Sequence, residues 1–201
     1  IGRRDMSLSQ REDTMIGIEG HIKIWDPASG EVLVRRRNAV NFENMSIAIA
    51  NLLSNKAGST STHQIGTMRF GNGGTTIDGL GTVTYKVPNT SSSSGTLYNS
   101  THTANVDAAD AYNKSAVSHT ANNTYSDVEV TCTLDYNVPA GQDATDTATS
   151  QTGTYIFDEL GIYSANGDLL THVVFHPVQK SANRKIQVVY TLRIRTSFQD
   201  I

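Results

Sequence analysis

Two segments of the chain alternate apolar and polar residues with a period of two. Val128, Val130, Cys132, Leu134, Tyr136 and Val138 are separated by Glu129, Thr131, Thr133, Asp135 and Asn137, and Ile186, Val188, Tyr190, Leu192 and Ile194 by Gln187, Val189, Thr191, Arg193 and Arg195. Successive side chains of a strand point to opposite faces, so each run predicts a strand with one face buried. Leu134 and Leu192 are expected in the core, and Thr133 at a position where truncation is nearly silent.

Shorter apolar runs flank turn residues. Ile16, Ile18, Ile22, Ile24 and Trp25 lead into Asp26-Pro27-Ala28-Ser29-Gly30, then Val32, Leu33 and Val34 follow, which predicts a hairpin. Residues 65–70 and 82–87 read as strands, with Gly71-Asn72-Gly73-Gly74 as a tight turn. Residues 155–163 and 169–175 read as a second hairpin, with Asn166-Gly167 as a source of positive φ. Only one stretch has a helical period. Phe42, Met45, Ile49, Leu52 and Leu53 share one face of a helix that Asn41 can cap and Ala57-Gly58 can end.

The expected fold is therefore mainly β: an antiparallel β-sandwich or flattened barrel with one helix and long polar loop insertions. Residues 1–13 read as a flexible N-terminal arm and 14–201 as a single β-sandwich domain. Within it a polar insertion at about 89–126 and a second loop at about 139–152 exceed the usual connection of about 4–6 residues. The first holds few large apolar residues, so neighbouring subunits are expected to order it.

Charge alters this picture locally. The net charge is −3, which gives no global attraction to nucleic acid or an anionic membrane. Residues 89–151, however, hold Asp107, Asp110, Asp127, Glu129, Asp135, Asp143 and Asp146 against Lys114 alone. An acidic insertion on a basic body suits subunits that meet head to tail. No apolar run approaches membrane-spanning length and no signal-like segment opens the chain, so the expectation is a soluble, unexported protein.

Candidate chemistry is sparse. His21, His63, His102, His119, His172 and His176 show no metal-ligand spacing, and His172 and His176, four apart on a strand, read as surface or interface histidines. Cys132 falls on the apolar face of its strand and reads as a buried structural thiol. Gly71–Gly74 precedes no helix, which argues against a phosphate loop. Asp158 and Glu159, adjacent on a strand, face opposite sides and cannot act as a joint acid and base; one is expected to be buried and bonded to backbone. Arg35-Arg36-Arg37 is the one compact basic run and reads as an intersubunit or solvated cluster rather than a nucleic-acid patch. Asp107, Asp110, Asp143 and Asp146 are too few for a calcium loop. The expectation is no enzyme, no cofactor and no metal.

Several runs resemble virion proteins of tailed bacteriophages. Phe157-Asp158-Glu159-Leu160-Gly161-Ile162-Tyr163-Ser164-Ala165-Asn166-Gly167-Asp168-Leu169-Leu170 is similar to a hairpin in the particle-attaching modules of tail-fibre and collar proteins. Arg69-Phe70-Gly71-Asn72-Gly73-Gly74 resembles the glycine turn that precedes that hairpin. Ile22–Pro27 and Arg37–Met45 resemble virion structural proteins of large tailed phages. The resemblance implies a neck, collar, tail, baseplate or fibre-attachment subunit in the virion, assembled in the host cytoplasm. Partners are then other phage virion proteins, and the long polar loops and few charges, with the symmetry of a particle, predict a ring-forming or otherwise symmetric homo-oligomer; the net charge speaks against direct contact with nucleic acid or membrane. The sequence carries no repetitive shaft or receptor-binding tip, so a whole tail fibre is not expected. The alternatives are a capsid decoration protein and a carbohydrate-binding tail module.

Overall fold

The structure, a computed structural model, describes residues 13–54, 60–92, 94–106, 112–144 and 153–199. Its strands are β1 (Asp13–Trp25), β2 (Val32–Arg37), β3 (Ala39–Val40), β4 (Ile65–Gly71), β5 (Thr75–Ile77) and β6 (Val83–Tyr85), then β7 (Ser100–Asn105), β8 (Lys114–Ser118), β9 (Tyr125–Leu134), β10 (Ile156–Ser164), β11 (Leu169–Gln179) and β12 (Ile186–Gln199). Helix α1 spans Phe42–Ser54, and a single helical turn, α2, spans Thr60–His63.

Two antiparallel five-stranded sheets form a sandwich, not a closed barrel. The first sheet runs β2-β1-β12-β9-β8, the second β3-β11-β10-β4-β7, and β5-β6 is a separate hairpin. Ile22, Ile24, Val130, Val188 and Tyr190 of the first sheet share one buried cluster with Met68, Phe70, Leu160, Val173 and Phe175 of the second. The alternation predicted for β12 and for β9 up to Leu134 faces this cluster, with Cys132, Leu134 and Leu192 all buried. Leu134 pairs with Ile186 across the two strands.

Several expected boundaries move. β9 ends at Leu134, and Tyr136 and Val138 are exposed, because β12 pairs with β9 only as far as Ile186 opposite Leu134. Thr133 is not an idle position, since its Oγ1 accepts a hydrogen bond from Gln187 Nε2 at 2.9 Å. The expected loop at 89–126 contains β7, which extends the second sheet against β4, and β8, which extends the first against β9. Both are polar edge strands held by backbone pairing, so they leave little apolar signal. The expected arm overlaps β1, whose first residue, Asp13, pairs with Gln199. Residues 1–12 lie outside the described residues.

The first hairpin turns as the sequence suggests. Gly30, with φ of +78°, donates its N–H to Asp26 O, and Ala28 N donates to Asp26 Oδ1. In the second, Gly167 takes the positive φ of +94°. Asn41 caps α1 by accepting from Asn44 N at 3.2 Å. The helix buries Asn44, Met45 and Ala48, whereas Phe42, Leu52 and Leu53 of the predicted inward face are exposed. The inward face is instead centred on Asn44, whose Nδ2 donates to Leu169 O at 2.8 Å, and part of the apolar stripe is left outside. The proposed stop at Ala57-Gly58 falls outside the described residues.

Candidate functional site

In the second sheet β10 and the first seven residues of β11 are buried on both faces. One face of β10 packs on the sandwich core, and the other lies under the strap of residues 86–92 and 94–99. That strap has few large apolar residues, so its backbone N–H groups need acceptors once they are covered. β10 and β11 supply them.

Glu159, fully buried, accepts four hydrogen bonds. Oε1 receives Asn99 N at 2.8 Å and Gly73 N at 3.2 Å; Oε2 receives Tyr98 N at 2.9 Å and His172 Nε2 at 3.0 Å. Next to it on the strand, Asp158 accepts Gly74 N on Oδ1 and Thr75 N on Oδ2, each at 2.8 Å. The two carboxylates thus hold one glycine turn between them. Alternation had assigned them to opposite sides with only one buried. Both are buried because the register of β10 against β11 shifts between Phe157 and Glu159 and the turn after β4 folds over the strand end. Gly71 cannot carry a side chain here: a Cβ would lie 2.6 Å from Glu159 Oε1.

His172 is buried against Glu159, not on the surface as expected. Its Nδ1 accepts from Asn89 N at 2.9 Å. An amide N–H can only donate, so Nδ1 is unprotonated and Nε2 carries the proton toward Glu159. Tyr163 completes the strap's anchorage by accepting Leu97 N at 2.9 Å. Burial alone would raise the Glu159 pKa, but hydrogen bonds from His172, Asn99 and Tyr98 outweigh it and hold the group below the ordinary range. Burial raises the Tyr163 hydroxyl.

Every donor of the Glu159 cluster is spent on structure, which leaves an anchoring network. Two signals in the sequence point to it, an Asp-Glu pair inside an apolar strand and a glycine-rich turn, but no local rule connects them to Tyr98 and Asn99.

The other histidines do not converge. His21 stands on β1 with its Nε2 3.8 Å from Glu19, His63 ends α2, and His102 stacks at 6.0 Å on Phe70. His119 bonds Ser126 and Tyr125 O, and His176, exposed, bonds the Tyr85 hydroxyl. Burial, then the charge of Lys180, depresses the His102 pKa. Among the described residues no group of three His, Cys, Asp or Glu is placed to hold a metal. Asp107, Asp110 and Asp146 lie outside those residues, and Asp143 accepts from Gln179 Nε2.

The arginine run splits. Arg36 crosses to the second sheet and donates to Val174 O at 2.7 Å, Arg37 pairs with Glu19 at 3.1 Å, and Arg35 lies opposite Lys23. Sequence reasoning missed Lys180, which is buried and donates to Gln142 Oε1 and Ser181 O, each at 2.9 Å. Burial lowers its pKa to about 8 against an opposing pull from Asp135. An isolated lysine between a strand end and a turn carries no sequence signature of burial.

The surface best suited to a partner surrounds α1. On one flank, Ile16, Ile18, Val40, Phe42, Met45 and Leu53 line a groove of about 460 Å³, with Phe42 70% and Leu53 78% exposed. On the other flank a groove of about 320 Å³ is lined by Ile49, Leu52, Val117, Val128 and Ile194. Contiguous exposed apolar surface of this kind marks interaction sites. Among the described residues no helix is long and apolar enough to cross a membrane. No protein-family model, no curated protein and no solved structure matches this chain.

Proposed function

We propose that the chain is a structural subunit of a tailed-bacteriophage particle, from the neck or collar, tail or baseplate, and that it acts by protein–protein assembly. The observation that carries the assembly reading is the apolar surface on both flanks of α1. Phe42, Leu53 and Val117 there are too exposed to stabilise the isolated fold, and a neighbouring subunit would bury them. The particle itself is supplied by the resemblance. Two of the runs that carry it, Arg69–Gly74 and Phe157–Leu170, lie on the paired strands β4 and β10 and the turns that follow them, and are tied together by Asp158 and Glu159.

A carbohydrate-binding role is less well supported, because cations already cover the exposed rings nearest the strap. Arg36 lies 5.1 Å over Tyr85 and Lys86 lies 4.5 Å over Tyr98. The test is mass spectrometry of purified particles with copy counting, joined to labelling of the chain in particle images. A fixed copy number at the neck, tail or baseplate is the expected result. A location on the capsid surface would reassign the chain as a decoration protein, and absence from particles would overturn the reading.

A further inference from the structure

We propose that copies of this chain join head to tail by pairing β8 of one copy with the open edge of β1 in the next. The inference rests on the assembly reading and names the surfaces used. β12 pairs with β1 along its whole length, but β2 covers the other edge only from His21 to Trp25. Asn38 N takes Gly20 O, after which the chain crosses to β3 in the second sheet. The edge from Asp13 to Glu19 is therefore open among the described residues. At the far side of the same sheet β8 is the terminal strand among the described residues, which leave its outer edge unpaired too. Open edges of this kind are templates for strand addition.

Direction and register agree. β1 is antiparallel to β12, β12 to β9, and β9 to β8, so the β1 of a copy placed beside β8 in the same orientation runs antiparallel to it. The five residues Met15–Glu19 match the five of β8. Setting Lys114 opposite Glu19 places Val117 opposite Ile16 and Ser115 opposite Ile18. Lys114 then joins Arg37 and Arg195 around the Glu19 carboxylate on the outer face. On the inner face Val117, 72% exposed, meets Ile16, 54% exposed. That face is also where α1 lies, so the groove beside Ile16 and Phe42 joins the groove beside Val117 and Leu52 in one apolar seam. Pairing β1 edge to β1 edge would bring no opposite charge and leave β8 and Val117 uncovered. A head-to-tail contact covers both edges, and it closes into a ring or grows into a filament.

The test uses Ile16→Lys and Val117→Lys, with the exposed Val87→Lys as control, in sedimentation velocity across a concentration series. Wild type and Val87→Lys are expected to assemble and each edge variant to sediment as a monomer. A one-to-one mixture of the two edge variants is expected to give a heterodimer, because each retains one intact edge. Wild-type amide exchange in residues 15–19 and 114–118 should slow with concentration, a readout that needs no variant to fold. The proposal is overturned if wild type is monomeric, if both variants assemble as wild type does, if only Ile16→Lys dissociates, or if the mixture stays monomeric. In each case the chain's presence in particles tests the assembly reading separately.

Discussion

Glu159 Oε2 and His172 Nε2 meet at 3.0 Å with both side chains fully buried, and each residue also accepts hydrogen bonds from the backbone of the strap. The pair joins β10 and β11 to the strap, whose one buried apolar contact among the described residues is Leu97 against Tyr163 and Leu169.

Glu159→Gln tests this anchor. The amide replaces one accepting oxygen with an NH₂ group, which faces either Tyr98 N and His172 Nε2 or Asn99 N and Gly73 N. Each donor left unpaired costs about 1–3 kcal/mol. The denaturant midpoint should fall, and amide exchange at Tyr98 and Asn99 should accelerate before exchange in β9 and β12. Unchanged protection at those two amides would remove Glu159 as the anchor.

Acid should release the same strap. The folded pKa of Glu159 is depressed, so its contribution to stability is complete above the ordinary glutamate value of about 4.3 and is lost as pH falls below it. Stability measured from pH 6 to pH 3 should drop more steeply in wild type than in Glu159→Gln. Parallel curves would assign acid sensitivity to other carboxylates.

Lys180 predicts the opposite end of the pH scale. Its folded pKa is about 8 against an ordinary value of about 10.4, so the unfolded chain binds the extra proton between the two. Wild-type stability should therefore rise relative to Lys180→Met from about pH 8 to about pH 10.4, with a slope of about 1.4 kcal/mol per pH unit. A difference that does not change with pH would mean that Lys180 stays charged in the fold.

The core ranks its residues clearly. Leu134→Ala and Leu192→Ala should each cost about 2–5 kcal/mol, because both side chains are buried between the sheets. Thr133→Ala should cost about 1 kcal/mol, through the lost hydrogen bond from Gln187. Equal denaturant midpoints for Leu134→Ala and Thr133→Ala would reverse the assigned phase of β9.

The period-two runs of β9 and β12, the hairpin turns at Gly30 and Gly167, and the Asn41 cap were all legible in the sequence. Each depends on contacts between near neighbours or on a side-chain alternation that any half-buried strand must show. The burial of Cys132 followed from the same alternation.

Tertiary structure alone decided the rest. Whether Asp158 and Glu159 face apart depends on a register shift against β11, and whether His172 is exposed depends on a strap that arrives from some 80 residues earlier in the chain. β7 and β8 are strands because β4 and β9 offer them backbone partners, not because their own residues favour a sheet. The orientation of α1, with Asn44 inward on the carbonyl of Leu169 and Phe42 outward, belongs to its packing on the second sheet. Local pattern determines which side chains share a face. Which faces are covered, and which backbone donors find an acceptor, is settled only when distant segments meet.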